Sequence, residues 1–197
     1  MSIRRSPTSS STRSHGVRST TVKLCMFSPL DQDLERGWPG RVEGERVIQL
    51  AAQTLQAFFT GGGIAREHAE YPLAEVVFRA PVLHPPSVRI FGDDGDFVFA
   101  NPAAIKAAGE EPAVSGAEQV ERVAAIIGLD GAIGGFTPLV EWVAPQLQGA
   151  KQRDFALTLG PIVTTPDEGT PPGVDWERLV AHAAENTTLY PGDLIAR

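Results

Sequence analysis

The chain has 197 residues, of which 42% are hydrophobic and 21% charged, a balance ordinary for a soluble globular protein of one large domain or one domain with a small companion. Its formal net charge of −7 argues against nucleic acid as the main partner, and no apolar run approaches the ~20 residues that span a bilayer. A single cysteine, Cys25, permits no internal disulfide and fits a reducing, cytoplasmic setting.

Residues 1–21 are rich in Ser, Thr and Arg and contain no acidic residue. Such a segment buries too little surface to offset its ordering entropy and is expected to be a disordered basic tail; a transit peptide is the functional alternative. Val22, Leu24 and Met26 then alternate with Lys23, Cys25 and Phe27, a period-two pattern that predicts a strand over Val22–Ser28. Arg41–Ile48 reads as a hairpin turning at Glu43-Gly44. Val47–Phe59 carries Leu50, Ala51, Leu55, Phe58 and Phe59 at helical spacing and ends at Gly61-Gly62-Gly63. Residues 22–80 are thus expected to form a small N-terminal α/β module.

A proline-rich stretch, Pro81–Pro86, opens the main domain, residues 81–197. Short apolar runs predict strands at Val88–Phe91, Phe97–Ala100 and Glu121–Gly128, the last buried on both faces. A further strand spans Phe155–Thr165 with a break at Gly160-Pro161. Val174–Asn186 reads as a helix with Asp175 as N-cap, and the chain closes with a turn and a last strand near Leu194. Gly 20 and Pro 16 indicate many turns, so the expected class is α+β and β-rich.

Few residues stand out chemically. Lys151 precedes the apolar run Phe155–Leu159, either at the mouth of a pocket suited to an anion or as a solvated lysine. Glu141 beside Trp142 is either a lone acid in an apolar setting, with general-base character, or a surface carboxylate. Asp93, Asp94 and Asp96 crowd like metal ligands, although D-D-G-D is also an ordinary tight-turn composition. None of His15, His68, His84 and His182 has a partner at ligand or triad spacing. Cys25 on an alternating strand reads as core rather than nucleophile. Neither a G-x-S-x-G elbow nor a Walker A loop is present.

Several stretches, taken in order, resemble the fumarylacetoacetate hydrolase family. K-L-C-M-F-S-P with R-V-E-G-E-R-V-I is similar to the small leading module of many bacterial members, and A-P-V-L-H-P-P-S-V-R-I-F to the entry of their main domain. F-V-F-A-N-P-A-A-I, R-V-A-A-I-I-G, I-G-G-F-T, G-A-K-Q-R-D-F-A-L-T-L-G-P-I-V-T-T-P-D-E and L-Y-P-G-D-L-I-A follow in the family's sequence. The resemblance implies a mixed β-roll, a homodimer, and hydrolysis, decarboxylation or isomerisation of small 2-oxo or 1,3-dicarbonyl acids. It also implies Mg²⁺ or Mn²⁺ held by carboxylates as Lewis acid, with Lys151, Asp154 and Gly160 around the substrate.

The chain departs from the family where the cation would sit. The two glutamates of the family's E-x-E pattern correspond to Val120 and Arg122, while Glu121 points to the opposite face of its strand. The stretch V-E-W-V-A-P-Q-L-Q leaves Glu141 as its one acid, with Pro145 and Gln146 where the family has Arg and Asp. The segment carrying a water-activating His/Glu pair is missing between Phe91 and Phe97, and the chain stops at Arg197, short of further strand. Glu141 with Asp96 is the remaining candidate pair for a cation or a base. Two expectations follow: an enzyme of the family's type with a degraded metal site, or a non-catalytic relative that binds ligand or pairs with an intact paralogue. A metal-free isomerase or cyclase lies between them.

Overall fold

A computed structural model describes residues 22–61 and 64–197; the basic tail of residues 1–21 and two of the three glycines at 61–63 lie outside them. The strands are β1 (Lys23–Pro29), β2 (Trp38–Glu43), β3 (Arg46–Ala51), β4 (Ile64–Pro72), β5 (Val76–Arg79), β6 (Val88–Phe91), β7 (Phe97–Ala100), β8 (Ile105–Lys106), β9 (Glu118–Ile127), β10 (Ile133–Val143), β11 (Leu157–Leu159), β12 (Ile162–Thr164) and β13 (Leu194–Ala196). Helix α1 covers Leu55–Phe59 and α2 covers Trp176–Ala184. No helix among the described residues is long and apolar enough to cross a membrane.

The strands form a single mixed sheet in the order β4-β3-β2-β1-β12-β10-β9-β13-β6-β7. Strand β5 adds to β1, and β11 adds to β10 and β8. Pairing is antiparallel except for β13 with β6 and β11 with β8. The β-rich α+β expectation is met. Lys23–Cys25 of β1 pairs with Ile162–Thr164 of β12, so the sheet runs unbroken across the expected boundary at residue 80.

Strand β1 starts one residue later than its alternation predicts and is buried on both faces from Leu24 to Pro29. Leu24 and Met26 point into the main core with Leu139, Leu157 and Leu194. Cys25 and Phe27 point the other way, against Val47, Trp38 and Tyr71. Cys25 and Phe27 therefore form a second apolar face, as the core reading of Cys25 expects.

The predicted helix over Val47–Phe59 is corrected. Val47–Ala51 belongs to β3, because Val47 and Ile48 pair with Val42 and Arg41 on one side and with Tyr71 and Glu70 on the other. Only Leu55–Phe59 is helical, capped by Thr54, whose Oγ1 accepts from the Ala57 N–H at 2.9 Å. The apolar residues of the 47–59 window have helical spacing, and ladder pairing on both sides decided for strand at its front half. The hairpin between β2 and β3 turns where expected, with Gly44 at φ 57°.

The spine of the molecule is the β9–β10 hairpin, paired from Glu118–Val143 to Ile127–Ile133. Its tip carries Asp130 at φ 53° and Gly131 at φ 78°, the left-handed pair that a tight hairpin needs. Strand β10 was hidden by Gly134, Gly135 and Pro138, which normally punctuate strands. Here the glycines admit neighbours: a Cβ on Gly134 would lie 2.8 Å from the Phe59 ring, and one on Gly135 would collide with Val163 Cγ1. Helix α2 is capped by Asp175, which accepts from the Arg178 N–H. It lays Trp176 and Ala183 on a second cluster with Phe91, Phe136 and Ile195.

Candidate functional site

Register on the β9–β10 ladder brings Arg122 and Glu141 together. Glu141 pairs with Val120, and Arg122 with Leu139, so Arg122 and Glu141 are diagonal neighbours on one face, within reach of long side chains. Glu121 pairs with Val140 and is exposed on the opposite face, as its odd position in the strand requires. Arg122 Nε donates to Glu141 Oε2 at 2.9 Å. On the other side Arg153 Nη1 lies 3.4 Å from Oε1. Glu141 is wholly buried, Arg122 largely so, and Arg153 about half exposed. A buried carboxylate is tolerated when paired at close range, and this one is bracketed by two guanidinium groups.

Two small clefts open beside this cluster. One, of about 190 Å³, lies between Arg122 and Arg153 and the β6–β7 turn with Asp94 and Asp96. The other, of about 170 Å³, is walled by Val98, Phe99 and Asn101 on one side and by Glu141, Arg153 and Asp154 on the other. Ile90, Val98 and Arg153 border both. Asn101 is held there by donating to the Asp154 carbonyl at 2.8 Å and accepting from the Ala103 N–H at 3.0 Å.

Of the residues singled out in the sequence, Glu141 and Asp154 share a cleft. Glu141 is the buried acid rather than a surface carboxylate. Lys151 sits in the short turn Gly149–Gln152, is 76% exposed, and donates to Asp154 Oδ2 at 2.7 Å; it borders neither cleft. Gly160 lies against Pro138, to whose carbonyl its N–H donates at 2.7 Å, and its own carbonyl accepts from Thr137 Oγ1. Asp96 borders the other cleft and lies 3.6 Å from His182 Nε2. His182, without a partner in the sequence, thus has one in space, with Glu185 at 3.5 Å on its Nδ1 side. Cys25 is fully buried, and that burial pushes its thiol pKa up to about 12, which suits a core residue and not a nucleophile.

The donor set does not fit a divalent cation. Among the described residues no three His, Cys, Asp or Glu side chains converge. The buried acid of this cluster, Glu141, already faces two positive charges, whose field would oppose Mg²⁺ or Mn²⁺ at that carboxylate.

The same fold occurs in maleylpyruvate hydrolase from Sphingobium sp. SYK-6, with a TM-score of 0.68, 20% identity, and coverage of 88% of this chain and 87% of that one. That enzyme is also known in complex with manganese (II) ion and pyruvate, where the TM-score is 0.67 and identity 21%, with 88% and 87% covered. The chain has the fold of the fumarylacetoacetate hydrolase superfamily. Another superfamily structure, 2-keto-3-deoxy-D-arabinonate dehydratase complexed with magnesium and 2,5-dioxopentanoate, matches with a TM-score of 0.67 and 14% identity over 88% of this chain and 86% of that one. No protein-family model and no curated protein matches the sequence.

In the sequence Arg122 reads as an obstacle to a cation, and nothing near Arg153 or Asn101 marks either as part of a site. Arg153 lies two residues from Lys151 and carries no local signal of its own. Its role depends on where the turn after β10 returns it, which no local pattern encodes.

Proposed function

We propose that this protein, built on the fumarylacetoacetate hydrolase fold, binds a small carboxylic acid of the 2-oxo or dicarbonyl class beside Arg122, Glu141 and Arg153, without a divalent cation. The observation that carries the reading is the Arg122–Glu141 ion pair. At Glu141 two guanidinium groups meet one carboxylate, and Asp154, the other acid of that cleft, is already paired with Lys151. Asp94 and Asp96 line the neighbouring cleft, so the cleft beside Asn101 is the one that favours an anion. Arg153, half exposed and bordering both clefts, is the group free to turn onto a ligand carboxylate, bidentate in the usual way. Glu141 orients Arg122 and sets the charge of the wall. Asp154 is held by Lys151, so that lysine acts through Asp154.

The leading reading is non-catalytic: the protein holds an acid, alone or beside an intact paralogue. The exposed Val98 and Phe99 on edge strand β7 support pairing of two copies. A second reading, cation-free proton transfer as in an isomerase or cyclase, is favoured by the Glu141 Oε1 atom, which is buried and makes no hydrogen bond.

Calorimetry tests the proposal. Mg²⁺ and Mn²⁺ are titrated first, then pyruvate, 2-oxoglutarate and acylpyruvates, with Glu141→Ala and Arg153→Ala alongside. Acid binding that needs Arg153 and is indifferent to metal is the expected result. Micromolar metal binding abolished by Glu141→Ala overturns it. Turnover of the dicarbonyl acids without metal selects the proton-transfer reading, and its absence the non-catalytic one.

A further inference from the structure

The cleft beside Glu141 has one polar atom whose needs are unmet. Glu141 Oε2 accepts from Arg122, but Oε1, on a wholly buried side chain, makes no hydrogen bond among the described residues. Arg153 Nη1 is within 3.4 Å of it without forming one. The ion pair with Arg153 offsets only part of the desolvation cost of an acceptor that lacks a hydrogen bond, and Glu141 forms part of the cleft wall with Asn101, Arg153 and Asp154.

We infer that the ligand of this cleft is a small acid taken in a hydroxyl-bearing form, its carboxylate on Arg153 and its O–H donated to Glu141 Oε1. This rests on the reading of the site as an acid site, and within the carbon skeletons of the 2-oxo and dicarbonyl class it selects the enol and the 2-hydroxy forms over the oxo form. The chemistry discriminates among three neighbours of one carbon skeleton. A 2-oxo group is an acceptor and would place oxygen against oxygen at Oε1. A 2-ammonium group is also a donor, but at Glu141 it would sit beside the guanidinium groups of Arg122 and Arg153, while Asp154 is already taken up by Lys151, so a further cation is opposed there. A neutral hydroxyl supplies the donor without adding charge. By the same logic a dicarbonyl acid enters as its enol, whose O–H replaces the carbonyl acceptor. Ile90 and Val98, paired across β6 and β7 and both bordering the cleft, give the carbon skeleton its apolar contact. A site with a buried hydrogen-bonding group rejects the analogue that leaves it unpaired far more strongly than an apolar pocket rejects an extra methylene.

The test uses matched probes on the full chain, followed by chemical-shift titration: L-lactate against pyruvate, L-alanine and 2-methoxypropionate, and 2-hydroxyglutarate against 2-oxoglutarate. The hydroxy acids are expected to bind at least about tenfold more tightly than their oxo partners. Methylating the hydroxyl, which keeps the oxygen and removes the proton, should erase that margin with no change to the protein. In Glu141→Gln the amide oxygen turns to the Arg122 N–H, the amide NH₂ faces the cleft, and the preference inverts toward the oxo acid. Equal or tighter binding of the oxo acid by the unmodified protein overturns the inference; if Arg153→Ala still abolishes binding of both, the acid site itself stands. Undiminished binding of 2-methoxypropionate also overturns it. Failure of every acid to bind overturns the inference and the acid site together.

Discussion

Arg122 Nε and Glu141 Oε2 lie 2.9 Å apart across two neighbouring strands, and Glu141 has no exposure to water. The pair therefore links sheet stability to site charge. Replacing Arg122 with Ala leaves a buried carboxylate with only the half-exposed Arg153 beside it. The expected loss is about 3–5 kcal/mol, read as a lower urea midpoint at unchanged slope. The double variant Arg122→Met with Glu141→Met should recover most of it. A small loss for Arg122→Ala alone would mean that Arg153 or water carries the charge.

Lys151 and Arg153 make a discriminating pair, because they are two residues apart and differ in placement. Lys151→Ala removes an exposed ion pair worth about 0–1 kcal/mol and should leave acid binding within about twofold, since Lys151 acts only through Asp154. Arg153→Ala should weaken acid binding by about tenfold or more, on the scale of one charge-assisted contact of about 1.5–3 kcal/mol. Calorimetry on the two variants reverses the assignment if Lys151 proves the larger.

Gly160→Ala separates architecture from ligand contact. Its new Cβ would lie 2.9 Å from Pro138 Cδ and 3.1 Å from Pro138 Cβ, forcing β10 and the turn before β12 apart. A stability loss of about 1–3 kcal/mol is expected, with acid affinity retained by the folded fraction. A loss of affinity at unchanged stability would return Gly160 to the binding site.

Cys25 supplies a pH signature. Burial raises its thiol from 9.0 to about 12, so the folded chain keeps a proton that the unfolded chain releases. Its contribution is fully present below pH 9 and is lost as pH rises from about 9 toward 12, at about 1.4 kcal/mol per pH unit. Urea titrations of the parent and Cys25→Ala across this range should converge as pH rises, whatever the offset from the small cavity. Parallel curves would show that the thiol ionises in the folded state.

Composition and periodicity were enough to reach the β-rich class, the β2–β3 turn, the strand runs around Val88, Phe97 and Ala124, the break at Gly160-Pro161 and the Asp175-capped helix. Each of these is written in residues within a few positions of one another, and local sterics and capping act at that range. The front half of the expected 47–59 helix and the whole of β10 were illegible for the opposite reason. Val47–Ala51 became strand by pairing with residues on both sides, and Gly134, Gly135 and Pro138 are tolerated in a strand because Phe59, Val163 and Gly160 come to meet them.

The site divides in the same way. That Arg122 and Glu141 occur where the family resemblance leads one to expect acids was readable, as was the opposite face of Glu121. That they pair with each other, that Arg153 arrives on the other side of Glu141, and that Oε1 is left without a hydrogen bond in a residue bordering a cleft were decided by ladder register and loop return alone. Sequence specifies which side chains exist and which way a strand presents them. Distances of 3 Å between residues far apart in the chain depend on how the whole sheet closes, and electrostatics at such range is what makes a site bind a cation or an anion.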